Sequence, residues 1–196
     1  MMTEFIPLAI CLVAVTSIGL VVFQSWRWKL IVLGFQYLGV FVLVTRTWPF
    51  SLALVKLIAG LMACVVLALT IGIMKKARKE KRSVSISMRV FRLVSSLLIL
   101  IVVFVASQPL GKTFSAVPVE MIIGGGLLIG NGLLILGIYS APAENILGIL
   151  TLLSGFEVVY AAVEISTLVA GLLAIIELGI ALMGAYLIMV KKVDGE

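Results

Sequence analysis

Apolar residues along this chain do not alternate with polar ones. They run on in stretches of about 20, and polar or charged residues collect in the short gaps between. A run of that length crosses the ~30 Å hydrocarbon core as an α-helix. The stretches predict helices over about Phe5–Phe23, Leu30–Thr45, Phe50–Met74, Val90–Ser107, from after Pro118 to Tyr139, Asn145–Ile165 and Leu168–Val190.

The gaps carry the punctuation. Gln24-Ser25-Trp26-Arg27-Trp28-Lys29 and Arg46-Thr47-Trp48-Pro49 bracket the second run with aromatic and basic anchors. The block Lys75-Lys76-Ala77-Arg78-Lys79-Glu80-Lys81-Arg82 is too charged to enter lipid and marks a basic loop over residues 75–89. Pro109 and Gly111 are expected to end the fourth helix. Ser140-Ala141-Pro142-Ala143 reads as a turn before Asn145, a good N-cap, and Ser166-Thr167 as the last turn. The first run is preceded by Glu4 and lacks a small-x-small cleavage site, so it reads as a helix and not as a signal peptide.

Composition fixes the solvent. Apolar residues make up 63% of the 196 and charged ones 12%, with a mean hydropathy of +1.30. That leaves too little polar surface to cover a water-soluble globule. The expected fold is therefore all-α, a polytopic transmembrane bundle of about seven helices. The net charge of +6 sits mainly in the basic loop and beside helix ends, so it sets topology and does not mark a nucleic-acid surface. With that loop in the cytoplasm, Arg27, Lys29, Lys191 and Lys192 share its side, and Arg46 and Lys112 lie opposite. The N-terminus is then outside and the C-terminus inside.

The chain has no histidine, which removes the usual zinc and haem ligand, triad base and neutral-pH proton shuttle. Cys11 and Cys64 lie in apolar runs without C-x-x-C spacing and read as small buried hydrophobes. No cofactor or metal is expected.

Candidate chemistry lies in ionisable residues within the runs: Lys56, Glu120, Glu157, Glu164 and Glu177, with Gln36 and Asn131 as uncharged companions. A charge at the centre of a membrane helix costs about 2.5–3.5 kcal/mol on the insertion scale, so it persists mainly where it has a partner or a task. Glu157, roughly 18 Å beyond Asn145, and Glu177, roughly 15 Å beyond Thr167 on the next antiparallel helix, reach similar depths. Glu157, Tyr160 and Glu164 share one helical face. Glu164 lies nearer the outer surface, either snorkelling to water or at the mouth of a proton path. Lys56, about 9 Å from its helix end, can snorkel too; alternatively it pairs with a buried glutamate and switches that group's affinity for its proton. Glu157 and Glu177 either serve as hydrogen-bonded packing glue or load and release protons; the second reading is preferred.

Small residues surround these carboxylates. Ala170, Ala174, Ala181 and Gly184 flank Glu177, Gly148, Gly155 and Ala162 form a stripe on the preceding helix, and Gly126 and Gly130 repeat the pattern on the fifth. Close helix packing is predicted at all three places. Gly124-Gly125-Gly126 lies within a membrane run and follows no strand, so it is no phosphate loop.

The C-terminal third, about residues 118–192, resembles the NuoK-type subunit of complex I and its relative, the MrpC subunit of multi-subunit sodium/proton antiporters. Leu127-Leu128-Ile129-Gly130-Asn131-Gly132-Leu133-Leu134-Ile135-Leu136-Gly137 is similar to that family's first helix, and Glu144-Asn145-Ile146-Leu147-Gly148-Ile149-Leu150 to the start of its second. Gly155-Phe156-Glu157 resembles a Gly-Leu-Glu signature with one essential carboxylate, and Ala174-Ile175-Ile176-Glu177-Leu178-Gly179-Ile180-Ala181-Leu182 the helix with the other. The whole layout is similar to the HyfE-type subunit of membrane-bound hydrogenases, in which a NuoK-like end follows several N-terminal helices. Val15-Thr16-Ser17-Ile18, Ser25-Trp26-Arg27 and Gln36 share its texture. The chain departs from NuoK in its four-helix N-terminal extension, residues 1–117, and in the very short connection between its two glutamate helices.

The resemblance implies a prokaryotic cell-membrane subunit that is not an enzyme by itself. It implies Glu157 and Glu177 on a proton or ion path, antiporter-like membrane subunits and lipids as partners, and redox chemistry in other subunits. The competing expectation is a purely structural subunit of a redox or photosynthetic complex. An independent transporter predicts two similar halves, and no internal repeat is evident.

Overall fold

The computed structural model describes residues 6–75, 86–114 and 117–193. Among them are seven α-helices and no strand: α1 Ile6–Val22, α2 Trp26–Val44, α3 Phe50–Lys75, α4 Ile86–Thr113, α5 Val119–Ile138, α6 Pro142–Val163 and α7 Thr167–Val193. Six of these are long and apolar enough to cross a membrane. The 17 residues of α1 reach about 25 Å, near the lower limit of a span, and the helix lies antiparallel along α2. The chain is a multi-pass membrane bundle.

α2, α4 and α7 extend further than their apolar runs, because hydrogen bonding within a helix continues past the edge of the hydrocarbon. α2 begins at Trp26 and takes in Lys29; α4 begins at Ile86 and takes in Arg89 and Arg92. Of the basic loop expected over 75–89, Lys75 and Ile86–Arg89 are therefore helical, and 76–85 lies outside the described residues.

Pro109 does not end α4. It removes a single backbone donor near the helix terminus, and hydroxyls brace the turns on either side, Ser107 donating to the Phe104 carbonyl (2.7 Å) and Thr113 to that of Pro109 (3.1 Å). Gly111 serves packing instead, since a Cβ there would lie 2.6 Å from Val119.

Asn145 is not the N-cap of α6. That position is Ala141 in extended backbone, with Pro142 next, where its missing N–H costs nothing. The Asn145 amide then closes the first turn on the Ala141 carbonyl, 3.1 Å away.

α5 and α6 form the closest hairpin. A Cβ on Gly155 would meet the Gly125 carbonyl and the Ile129 amide at 2.7 Å, and one on Gly132 the Leu152 amide at 2.7 Å and the Gly148 carbonyl at 2.9 Å. The predicted glycine packing of Gly148 and Gly155 is thus backbone against backbone. Gly126 and Gly130 serve another neighbour, admitting Val103 and Ile99 of α4. α7 packs chiefly on α3, with Ala174 and Ala181 buried. α6 is the most buried span and α4 the least, with contacts mainly to α5 and α1. Cys64 is buried as expected, but Cys11 lies on the exposed face of α1, a distinction an unbroken apolar run does not encode.

Candidate functional site

Three of the five ionisable residues singled out from the sequence meet. The Lys56 ammonium of α3 forms ion pairs with Glu157 of α6 and with Glu177 of α7, the latter at 2.5 Å. All three side chains are inside the bundle, at 6%, 2% and 0% exposure. Lys56 therefore does not snorkel; it takes the alternative of a buried partner, and takes two. One lysine between two carboxylates converts three costly membrane charges into one compact cluster.

Tyr37 of α2 roofs this centre, its ring centroid 5.2 Å from the Lys56 Nζ. Gly60, one turn beyond Lys56, makes room for it: a Cβ there would stand 2.5 Å from the ring. The Tyr37 hydroxyl and one oxygen of Glu177, both fully buried, have no hydrogen-bond partner among the described residues.

Glu164 is not part of the cluster. It is exposed at the C-cap of α6, two turns and about 10 Å beyond Glu157. Its backbone carbonyl accepts the Trp48 indole N–H at 2.9 Å, and the Trp48 ring packs edge-on against Tyr160. Glu120 is likewise at the periphery, half-exposed in the first turn of α5, where a carboxylate suits the helix dipole and faces Arg46 at 4.0 Å.

The structure adds two polar clusters that the sequence reading did not assemble. Asn131 of α5 is fully buried and fully bonded: its amide donates to Ser17 of α1 (3.2 Å) and to the Leu127 carbonyl (3.1 Å), and its oxygen accepts from Ser96 of α4 (2.5 Å). Toward the Lys29 end, Lys29 pairs with Glu144 at 3.6 Å and sits 4.2 Å over the Tyr139 ring. Arg92 donates to the Tyr139 hydroxyl at 2.9 Å, and that hydroxyl donates to the Val21 carbonyl at 2.8 Å. Burial pushes the Tyr139 phenol up, and the Arg92 charge opposes this only in part, so it remains a donor. Lys29, at a helix end where an interfacial anchor is expected, is 1% exposed, and Arg92 is buried beside it in the same cluster. The available signal was the i, i+4 pair Arg92 and Ser96 within the stretch that continues as α4.

Among the described residues no group of three or more His, Cys, Asp or Glu side chains is placed to hold a metal ion. Chemically, the Lys56 centre joins one basic and two acidic side chains in a buried site. Its two carboxylates and one ammonium leave one unit of negative charge, which a proton or another monovalent cation can neutralise. Compared with protein-family models, characterised proteins and solved structures, the chain finds no match.

Proposed function

We propose that this chain is a membrane-arm subunit of a complex I-like, hydrogenase-like or Mrp-like assembly in a prokaryotic cell membrane, and that its Lys56 centre is a station on a proton path. The observation that carries this reading is the sharing of one buried lysine by two buried glutamates on separate helices. A charge-balanced tie needs only one carboxylate for the one ammonium, and a neutral polar side chain would suffice to link the third helix. The second carboxylate adds a charge that must itself be neutralised in lipid, which is costly as glue and useful as a proton carrier.

In the proposed cycle Lys56 moves between its partners. When the ammonium lies on Glu157, Glu177 holds the extra proton; when it shifts to Glu177, that proton leaves and Glu157 becomes the acceptor. Lys56 is borne by α3, which also carries α7, so a displacement of α3 by a neighbouring subunit would couple the exchange to a distant event. Glu164 marks the outer mouth. The resemblance of residues 118–192 to NuoK and MrpC supports the same reading, as does the likeness in overall layout to the HyfE-type subunit.

Mild extraction of the tagged chain from its native membrane tests the assembly. Antiporter-like membrane subunits are expected to co-purify in fixed proportion, and a chain that emerges alone under conditions that keep other membrane complexes intact contradicts it.

A further inference from the structure

Gln36 of α2 is completely buried, and neither its amide nitrogen nor its oxygen has a partner among the described residues. In a membrane, where no bulk water can reach it, an unpaired buried polar group is costly. Its position in the bundle is informative. The α1–α2 hairpin sets Val13 against Gly39 and Phe23 over Trp28, so Ser17 falls level with Gln36 to within about two residues, or about 3 Å. The α5–α6 hairpin sets Gly132 against Gly148 and Leu152, bringing Asn131 level with Thr151. Lys29 and Glu144 pair across α2 and α6, and Gln36 and Thr151 each lie seven residues, about 10 Å, deeper. Ser17, Gln36, Asn131 and Thr151 thus form one polar layer beneath the Lys29–Glu144 pair.

Within that layer Ser17, Ser96 and Asn131 satisfy one another, and Thr151 and Ser154 donate back to carbonyls one turn earlier. Their hydroxyl oxygens keep spare acceptor sites, while Gln36 has donors and an acceptor with nothing to meet. A buried water is stable where two to four polar partners converge. Next in sequence to Gln36, and turned about 100° around α2, Tyr37 presents its unpartnered hydroxyl on the side of the Lys56 centre. At the opposite end, Trp48 and Tyr160 pack over the approach along α6.

We infer that Gln36 and Tyr37 hold internal water that joins the Lys29–Glu144 end of the bundle to the Lys56 centre, forming the inner half of a proton route. Gln36 orders the water between the two layers, and Tyr37 passes the hydrogen-bond chain across α2 to Glu177. This rests on the reading of the Lys56 centre as a protonation site, and the experiment separates the two.

The full-length chain in lipid nanodiscs is transferred into D2O, and the infrared carboxylic-acid C=O band is followed, assigned by its loss when Glu157→Gln and Glu177→Gln are combined. The parent chain is expected to show the band and to shift it rapidly. Gln36→Leu and Tyr37→Phe are expected to keep the band and slow the shift at least tenfold. Because Gln36 has no protein hydrogen bond to lose, Gln36→Leu is expected to melt close to the parent; Gln36→Met, which keeps the length, serves if it does not accumulate. Exchange at the parental rate in the Gln36 variant overturns the route alone. Absence of any assignable carboxyl band in the parent overturns the protonation reading and the route with it.

Discussion

Lys56 was ambiguous in the sequence because its depth, about 9 Å from a helix end, is compatible with both snorkelling and pairing. What decides between them is the rotation of α3 about its axis, set by its packing against α7, which no local pattern states. Glu157 and Glu177 were legible because they stand alone in apolar surroundings and at matching depth. The same reasoning overlooked Lys29, since a lysine beside tryptophans at a helix end ordinarily marks the interface. Removing one member of a buried charge cluster strands the others, at a cost of about 3–5 kcal/mol. Lys56→Met is therefore expected to lower stability by about that amount in thermal unfolding of the full chain in lipid. Adding Glu157→Gln and Glu177→Gln to Lys56→Met is expected to restore most of the loss; a triple variant as unstable as the single one would show that the charges do not form one unit.

At the scale of elements, the apolar runs locate every helix but mark the reach of hydrocarbon and not the helix ends, so α2 and α4 begin before their runs and α4 continues through Pro109. Hairpin packing was better foreseen, because small residues at helical spacing have few other uses. Which glycines matter, however, depends on what faces them. Gly132 and Gly155 abut backbone that has no room to yield, whereas Gly171 and Gly179 face open space. Gly132→Ala or Gly155→Ala is expected to destabilise the chain by about 1–3 kcal/mol through overpacking. Gly171→Ala is expected to change it by no more than about 0.5 kcal/mol. Equal effects at both sites in thermal unfolding would contradict the backbone-to-backbone packing of α5 on α6.

For the whole molecule, an all-helical membrane bundle followed from composition and run length alone. The lateral order of helices did not, since lipid-facing and protein-facing residues are nearly equally apolar and leave only a weak periodic signal. The polar clusters give the bundle its internal order: Lys29 with Glu144 at one end, Asn131 and Gln36 next, then Lys56, and Trp48 with Glu164 at the other. The proposed topology places Arg89 on the cytoplasmic side and Lys112 outside. In a background with Cys11 and Cys64 replaced by alanine, Arg89→Cys is expected to react with an impermeant thiol reagent only from the cytoplasmic face, and Lys112→Cys only from the outer face. Labelling with the sides reversed would invert the direction of the proposed path.

The central claim is that Glu157 and Glu177 carry protons and do not merely bind helices together. Its most direct test is to replace each separately by glutamine in the native membrane, confirm by mass that the complex still assembles, and follow proton translocation driven by the complex's own substrate. The account predicts that translocation falls at least tenfold in each variant with assembly intact, whereas unchanged translocation in both would contradict it and leave the Lys56 centre as a structural tie.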